Sequence, residues 1–172
     1  KFPIVIKPIN EGSSLGVYIC NNKTQFTKNY RKLSINYNRI IVEEYIPGKE
    51  IQVAVMGNKA LGAIELIPKR RFYDYTAKYS SAAKTRHIMP ARLSSKKYKE
   101  VLNLAKKAHD SLGCRGITRS DFRFFKNNFY LLETNTQPGM TKLSLVPEIA
   151  KHCGIKFVNL VEWIVKDASY NR

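Results

Sequence analysis

The stretch GITRSDFRFFKNNFYLLET, residues 116–134, contains two segments in which polar and apolar side chains alternate, joined by a polar turn. This alternation, together with the β-branched and aromatic residues, predicts two antiparallel strands over 116–125 and 129–134. Asp121 and Glu133 stand among apolar neighbours in these strands, although the whole chain carries only 13 acidic residues against 30 basic ones. A carboxylate in such a position is costly without a partner or a ligand, so both residues are candidates for a site.

The length of the turn decides whether these two carboxylates share a face of the sheet. A two-residue turn at 127–128 pairs Asp121 with Thr134 and directs Glu133 to the opposite face. A three-residue loop at 126–128 pairs Asp121 with Glu133 instead, and asparagine tolerates the left-handed backbone that such a loop requires. Both registers are compatible with the sequence.

The second register places a set of oxygen ligands on one face. Asp121, Glu133 and Asn135 would then lie together, and carboxylate and amide oxygens are the ligands that Mg2+ prefers. Arg119 shares the strand face of Asp121 by the two-residue period. The alternative is an ordinary polar face, because half-solvated antiparallel sheets commonly alternate in this way.

A loop rich in glycine and serine, EGSSLG at residues 11–16, separates two further apolar segments near the start of the chain. Glycine lets the backbone approach a ligand and serine adds hydroxyl donors, so the loop is a candidate phosphate cradle, with a hairpin turn as the alternative. Lys7 precedes it as a positive donor. Residues 67–84, aromatic and basic without a clear period, are a candidate lid. With oxygen ligands for a metal, these are the parts needed to hold Mg-ATP.

The rest of the chain interleaves helices and strands without a repeat, which predicts an α+β fold. Thr24 is the candidate cap of the first helix, Gly57 and Asn58 form a hairpin turn, and Gly113 ends the long helix. His109 lies on the apolar face of that helix and is expected to be a hydrogen-bonded core residue. The predicted helices are 25–36, 95–112, 144–153 and 157–168, and the further strands are 4–8, 17–20, 40–45, 50–56 and 59–66.

Composition limits the class of protein. The 172 residues, 44% of them apolar, suffice for one globular domain or two joined subdomains. The chain has no apolar run near the ~20 residues of a membrane span and no signal-peptide pattern, so we expect a soluble, cytoplasmic protein cut from a longer chain. Cys20, Cys114 and Cys153 lack metal-ligand spacing and are expected to be reduced, half-buried thiols. The net charge of +17 attracts anions such as nucleotides, and no nucleic-acid-binding motif accompanies the basic clusters.

Several short motifs in a fixed order carry a resemblance that covers essentially the whole chain. They are KP at 7–8, EGSSLGV at 11–17, VEEYIPGKE at 42–50, FYDYTAKY at 72–79, RSD at 119–121, ETNTQPGMT at 133–141 and SLVP at 144–147. In this order they resemble the D-alanine-D-alanine ligase family of the ATP-grasp superfamily. The resemblance implies an ATP-grasp fold, in which ATP and two Mg2+ ions, replaceable by Mn2+, are held between two α+β subdomains. The partial central subdomain would be 1–42 and the C-terminal subdomain 43–172.

The resemblance also implies a reaction. The carboxylate of one D-alanine attacks the γ-phosphate of ATP to give an acyl phosphate, and the amine of a second D-alanine displaces phosphate to form the dipeptide of peptidoglycan precursors. The implied partners are therefore D-alanine and ATP, with no nucleic acid and no membrane, and the intact protein is expected to be a homodimer. This chain lacks the family's amino-terminal domain, so by itself it is expected to be nearly inactive.

The resemblance implies a role for each of several residues. Those implied for the nucleotide are Lys7, Ser13, Ser14 and Lys78 at the phosphates, Glu43, Glu44 and the backbone of Ile46 at adenine, and Glu50 at the ribose. Those implied for the metal ions are Asp121, Glu133 and Asn135. For catalysis, the resemblance implies that Arg119 and the N–H of Gly139 stabilise the oxyanion, and that Ser13 and Tyr79 belong to the loop and the lid that close over the site. For the second D-alanine, the implied binding residues are Ser144, Leu145 and Tyr79.

Two positions bear on specificity. Tyr79 stands where relatives that use D-lactate have phenylalanine, which favours D-alanine as the second substrate. Lys142 departs from the family, which often has proline there, so the approach to Ser144 should be less rigid.

Two other functions remain open from the sequence. The first is another ATP-grasp ligase that joins a different carboxylate and amine, against which the lid and the loop at 139–144 argue. The second is a non-catalytic basic module that binds nucleic acid. Steep salt dependence of oligonucleotide binding, without a preference for MgATP, would support that module.

Overall fold

The computed structural model describes residues 1–12, 14–68, 85–141 and 143–170. These residues form antiparallel sheets with helices packed against them, so the predicted α+β class is confirmed. The chain divides into two compact units. Unit 1 contains Lys1–Pro47, and unit 2 contains Gly48–Ile67 and the chain from Arg86 onward.

The described residues of unit 1 form a three-stranded sheet and a helix. Its elements are β1 (Ile4–Pro8), β2 (Tyr18–Cys20), α1 (Lys23–Ser34) and β3 (Ile40–Glu44). The strand order is β2-β1-β3, and all pairs are antiparallel. Ile6, Cys20 and Leu33 form its buried core, because β1, β2 and α1 each present one apolar side chain to the same interior.

The boundary between the units differs from the sequence prediction. The sequence was divided after residue 42, whereas the structure divides between Pro47 and Gly48. The reason is that β3 pairs along its whole length with β1, with Ile4 opposite Glu44, and therefore stays in unit 1. The assignment of the two parts to the central and C-terminal ATP-grasp subdomains stays a prediction.

Helix α1 begins two residues earlier than predicted, and the assignment of Thr24 as its cap was wrong. The Asn22 side chain accepts a hydrogen bond from the Gln25 backbone N at 2.9 Å, and the Asn22 backbone is extended, as in a helix N-cap. The Gln25 side chain accepts a hydrogen bond from the Asn21 N at 2.8 Å. These reciprocal bonds satisfy donors at the start of the helix and fix its first turn.

Unit 2 is built on a five-stranded antiparallel sheet. Its elements are β4 (Lys49–Met56), β5 (Lys59–Ile67), β6 (Arg86–Ile88), α2 (Ser95–Ser111), β7 (Ile117–Phe125), β8 (Asn128–Asn135), α3 (Leu145–His152) and α4 (Phe157–Asp167). The strand order is β6-β5-β4-β7-β8. Alternate residues of β4, namely Ile51, Val53 and Val55, pack with Phe122 of β7 and Val101 of α2. The opposite face of β4 carries Glu50, Gln52 and Ala54.

The turn between β7 and β8 takes neither of the predicted forms. It is a two-residue loop at 126–127, where φ is 46° and 65°, and it leaves Phe125 opposite Asn128. In β8 the extra residue Leu132 then forms a β-bulge that moves the register by one position. Asp121 consequently lies opposite Glu133. The register that joins the two carboxylates is present, but the three-residue loop proposed to produce it was wrong.

Two expectations from composition can be compared with the structure. All three cysteines are free, and Cys114 is half-buried as predicted. Cys20 is buried and Cys153 exposed, so the prediction of half-buried thiols was wrong for these two. None of the helices within the described ranges has the length and apolar composition that a membrane span requires.

His109 is a hydrogen-bonded core residue, as predicted. It is 2% exposed on α2, and its Nδ1 lies 2.9 Å from Oγ1 of Thr118 on β7. Burial disfavours the charged imidazole and is the main reason that the pKa of His109 lies below its ordinary value. The histidine therefore joins helix to sheet in its neutral form.

We expect this histidine to make the folded state sensitive to mild acid. The unfolded residue, with an ordinary pKa of 6.5, takes up a proton that the folded residue resists, so the free energy of unfolding should fall as the pH drops below that value. His109→Gln, which keeps a polar group near Thr118 but does not titrate, should show a shallower fall. Urea unfolding across this pH range measures the effect, and equal slopes for both proteins would contradict it.

Candidate functional site

One face of the unit 2 sheet brings together most of the predicted site residues of that unit. Directly opposite residues of antiparallel strands point to the same side of the sheet. Three rows cross from β4 through β7 to β8, and they are Glu50–Arg123–Tyr130, Gln52–Asp121–Glu133 and Ala54–Arg119–Asn135. The three predicted metal ligands and Arg119 thus occupy two neighbouring rows, and Glu50 occupies the third.

Arg119 and Asp121 form a two-point ion pair along strand β7. Arg119 Nε lies 2.7 Å from Asp121 Oδ1, and Arg119 NH2 lies 3.0 Å from Oδ2. The Asp121 side chain is 8% exposed and the Arg119 side chain 15% exposed. Such a pair is favourable because both guanidinium donors match the two carboxylate oxygens, and it offsets the cost of burying the carboxylate. The strand spacing therefore holds both groups in one orientation.

The predicted metal ligands supply oxygen atoms only. Glu133 is exposed and Asn135 is half-buried. The Asn135 side-chain oxygen accepts a hydrogen bond from the Gln137 N at 2.9 Å and keeps one further lone pair. Two carboxylates and an amide suit a hard divalent cation such as Mg2+. Within the described ranges there is no cluster of three or more His, Cys, Asp or Glu residues fit to hold a metal, so the amide is needed to complete this set.

Arg123 forms an ion pair with Glu50, and this pair was not predicted from the sequence. Arg123 NH2 lies 3.6 Å from Glu50 Oε2, and both side chains are 11% exposed. Arg123 NH1 also donates to the Gly48 carbonyl oxygen at 3.2 Å. The signal was present in the sequence, because Arg123 follows Asp121 by two residues and must share its face.

The loop before α3 brings the predicted substrate residues together. Ser144 precedes α3, but its hydroxyl makes no cap to the helix. It accepts a hydrogen bond from the Thr141 N at 2.9 Å and lies 2.9 Å from Thr141 Oγ1. A Cβ added at Gly139 would lie 2.8 Å from the same hydroxyl, so a larger residue there would force the Ser144 hydroxyl to move. Leu145 differs, since its side chain is buried in the core and only its backbone could meet a substrate.

Unit 1 brings two predicted nucleotide residues into contact. Lys7 Nζ lies 2.8 Å from Glu43 Oε2, with the two side chains 24% and 40% exposed. Glu44 is exposed at the end of β3, and Ile46 follows it as a half-buried residue. The Lys7–Glu43 pair is accessible enough for the lysine to exchange its carboxylate for another anion.

Residues 14–16 of the glycine-serine loop form a turn between β1 and β2. Ser14 has a φ of 61° and Gly16 a φ of 70°, so both lie in the left-handed region. The Leu15 N donates to the Gly12 carbonyl oxygen at 3.0 Å. Successive residues of opposite handedness can turn backbone N–H groups toward an anion. Three further predicted site residues, Ser13, Lys78 and Tyr79, lie outside the described residues, as does Lys142.

Comparison with known proteins identifies the family. The sequence model of the family described as D-ala D-ala ligase C-terminus matches residues 1–166. A D-alanine-D-alanine ligase of Pelagibacter ubique is 63% identical over 172 residues, which are 100% of this chain and 56% of that protein. The ligase of Rhodospirillum rubrum is 46% identical over 166 residues, covering 96% of this chain and 55% of that protein. The chain thus spans about half the length of the curated relatives it matches.

Solved structures agree with the sequence relatives. The D-alanine-D-alanine ligase of Bacillus anthracis superimposes with a TM-score of 0.84 at 31% identity, over 96% of this chain and 54% of that one. A structure of the Bacillus anthracis ligase complexed with ATP gives a TM-score of 0.81 at 26% identity, over 96% and 52% of the two chains. Since the family match spans nearly the whole chain and the fold agrees, this chain belongs to the D-alanine-D-alanine ligase family, of which it carries the C-terminal region.

Proposed function

We propose that this chain is the nucleotide-binding and metal-binding part of an ATP-dependent ligase that joins two D-alanines for peptidoglycan precursor synthesis. The observation that carries the proposal is the row Asp121–Glu133, with Arg119 paired to Asp121 at two points. A carboxylate pair for a cation beside a fixed guanidinium suits a reaction in which negative charge develops on phosphate and carbonyl oxygens. The names of relatives at up to 63% identity support the choice of substrates.

In this proposal, residues of unit 2 bind the metal ions and the ribose, and one of them stabilises the oxyanion. Asp121, Glu133 and Asn135 would hold two Mg2+ ions, which Mn2+ could replace, and Glu50 would bind the ribose hydroxyls. Bound MgATP would supply the phosphoryl group that activates a substrate carboxylate. Arg119 presents a planar, permanently charged donor to the oxyanion that forms when the amine attacks.

The residues of unit 1 bind the rest of the nucleotide in this proposal. Lys7 releases Glu43 and pairs with a phosphate, which exchanges one ion pair for a stronger one because phosphate carries more charge. Glu43 and Glu44 then accept hydrogen bonds from the adenine amino group, and the Ile46 backbone completes the adenine contacts. Ser13, Ser14 and Lys78 add donors to the phosphates.

In this proposal, the loop before α3 contributes to the part of the site that binds the second D-alanine. The Gly139 N–H joins Arg119 at the oxyanion, and the Ser144 hydroxyl binds the carboxylate of the second D-alanine, beside the backbone of Leu145. Tyr79 selects D-alanine over D-lactate and, with Ser13, closes the site. A cytoplasmic location and a homodimer of the intact protein complete the proposal.

The 172-residue chain alone tests the proposal directly. We expect these 172 residues to bind MgATP weakly and to form no dipeptide, because they span about half the length of the relatives and the groups that orient the first D-alanine are expected in the other half. Holding two reactants in line is worth roughly 7–11 kcal/mol in well-oriented reactions, and that advantage is absent here. Calorimetry with MgATP and a coupled assay for phosphate and dipeptide measure both properties, and slow ATP hydrolysis is the most activity expected.

Two outcomes would contradict this proposal in different ways. Dipeptide formation by this chain at the rate of a complete ligase would show that no further domain is needed to orient D-alanine. Salt-sensitive oligonucleotide binding with no measurable affinity for MgATP would favour the basic nucleic-acid-binding module instead.

A further inference from the structure

Gln52 of β4 is a buried polar residue that sequence analysis did not identify. It is 1% exposed, and no donor among the described residues lies within hydrogen-bonding distance of its Oε1. The residue stands directly opposite Asp121, in the row that ends at Glu133. It also follows Glu50 by two residues and so shares its strand face. The amide oxygen thus belongs to the same polar face as the proposed metal and ribose residues.

Another buried polar residue of unit 2 shows the usual arrangement. Glu65 is 2% exposed and accepts hydrogen bonds from Arg92 through its backbone N at 3.1 Å, its Nε at 3.1 Å and its NH2 at 2.8 Å. Burial acts to raise the pKa of Glu65, but the bonds from Arg92 and the charge of Lys49 outweigh it and hold that pKa below its ordinary value. Buried oxygens are normally satisfied in this way, so the Gln52 oxygen calls for a donor from outside the part of the chain that the structure describes.

We propose that Gln52 is a further nucleotide-binding residue whose Oε1 accepts a hydrogen bond from a hydroxyl group that arrives with MgATP. The inference rests on the proposed function and deepens it. Gln52 stands between Glu50, assigned to the ribose, and Asp121, assigned to the metal. Phosphate oxygens cannot be the donor, because at neutral pH they carry almost no protons. A ribose hydroxyl and a water molecule bound to the cation both provide the O–H that the amide oxygen needs.

The test replaces Gln52 by a residue of similar length that cannot accept a hydrogen bond. Gln52→Met in the full-length protein should raise the stability of the unliganded protein toward urea, because an unpaired buried oxygen is removed. The same change should weaken MgATP binding about three- to tenfold, the usual value of one hydrogen bond. A residue needed only for packing would not produce these opposite effects.

Gln25→Met is the matched control. It makes the same chemical change on exposed helix α1, where the Gln25 oxygen accepts a bond from the Asn21 N. Calorimetry should give the wild-type MgATP affinity for this variant, and urea unfolding should show a small loss of stability. A change of MgATP affinity in this control equal to that of Gln52→Met would overturn the inference, since the effect would not be local to position 52.

Deoxynucleotides distinguish the two sources of the hydroxyl. If a ribose hydroxyl is the donor, wild type should bind 2′-deoxy-ATP or 3′-deoxy-ATP more weakly than ATP, and Gln52→Met should reduce that discrimination to the part that Glu50 provides. If a water molecule on the cation is the donor, Gln52→Met should weaken all three nucleotides equally. It should then also weaken Mn2+ binding measured without nucleotide by electron paramagnetic resonance. Both patterns support the inference.

Other results would also overturn the inference. Equal MgATP affinity of Gln52→Met and wild type removes Gln52 from the site but leaves the proposed function standing, whereas a wild-type protein that does not bind MgATP overturns the proposed function itself. Loss of stability with unchanged affinity makes Gln52 a core residue. If Gln52→Met does not fold, Gln52→Leu replaces it, and failure of both to fold overturns the inference, which requires that an apolar side chain is tolerated there.

Discussion

Glu133→Gln in the full-length protein is expected to lower turnover with ATP, Mg2+ and D-alanine by ~100-fold or more, while the protein stays folded. Glu133 lies opposite Asp121 across β7 and β8, and under the proposed function its charge balances the cation there. Glutamine keeps the shape and one oxygen but removes that charge. Because Glu133 is exposed, the substitution should cost little stability. Steady-state phosphate release measures turnover, and urea unfolding checks the fold.

The same charge change at a distant position provides the control for this experiment. Glu162→Gln removes a carboxylate of α4 that pairs with Lys166 at 2.6 Å on the exposed surface. Such pairs contribute little, so turnover and stability should both stay close to wild type. If Glu133→Gln retained near-normal turnover at low Mg2+ concentration, Glu133 would not belong to the metal site.

The period of two in β4, β7 and β8 made the polar face of unit 2 largely predictable. Once the strands are recognised, the two-residue period places Asp121 and Arg119 on the same face of β7. It also places the side chain two residues after Glu50 on the same face of β4 as Glu50. The pairing of Asp121 with Glu133 could not be decided, because it depends on the turn and on the bulge at Leu132. Leu131 and Leu132 are chemically identical, so no local feature of the sequence indicates which of them leaves the ladder.

Other features required knowledge of tertiary packing. Gln52 is indistinguishable in sequence from a solvated glutamine, and what sets it apart is its burial without a donor among the described residues. The start of α1 was predictable from the sequence, but the wrong N-cap was chosen because Asn22 and Thr24 are both good capping residues. The glutamine three residues after Asn22 is the added signal that favours the earlier start.

Arg119→Lys is expected to be as severe as Glu133→Gln for turnover, and in addition to destabilise the protein. Lysine keeps the charge, but its single ammonium group cannot reproduce the two parallel bonds of Arg119 to Asp121 at 2.7 Å and 3.0 Å. Asp121 is only 6% exposed, so a lost bond leaves a buried oxygen unpaired at a cost of about 1–3 kcal/mol. The same substitution also removes the planar guanidinium that is proposed to bind the oxyanion.

Arg115→Lys is the matched control, because Arg115 is exposed and its guanidinium bonds only Ser169 among the described residues. Turnover measured below the unfolding temperature of each variant separates the two effects of Arg119→Lys. A variant that is destabilised yet turns over normally while folded would reduce Arg119 to a structural partner of Asp121. Loss of turnover in the folded variant, with Arg115→Lys unaffected, instead means that the geometry of the guanidinium takes part in the reaction, since the charge is unchanged.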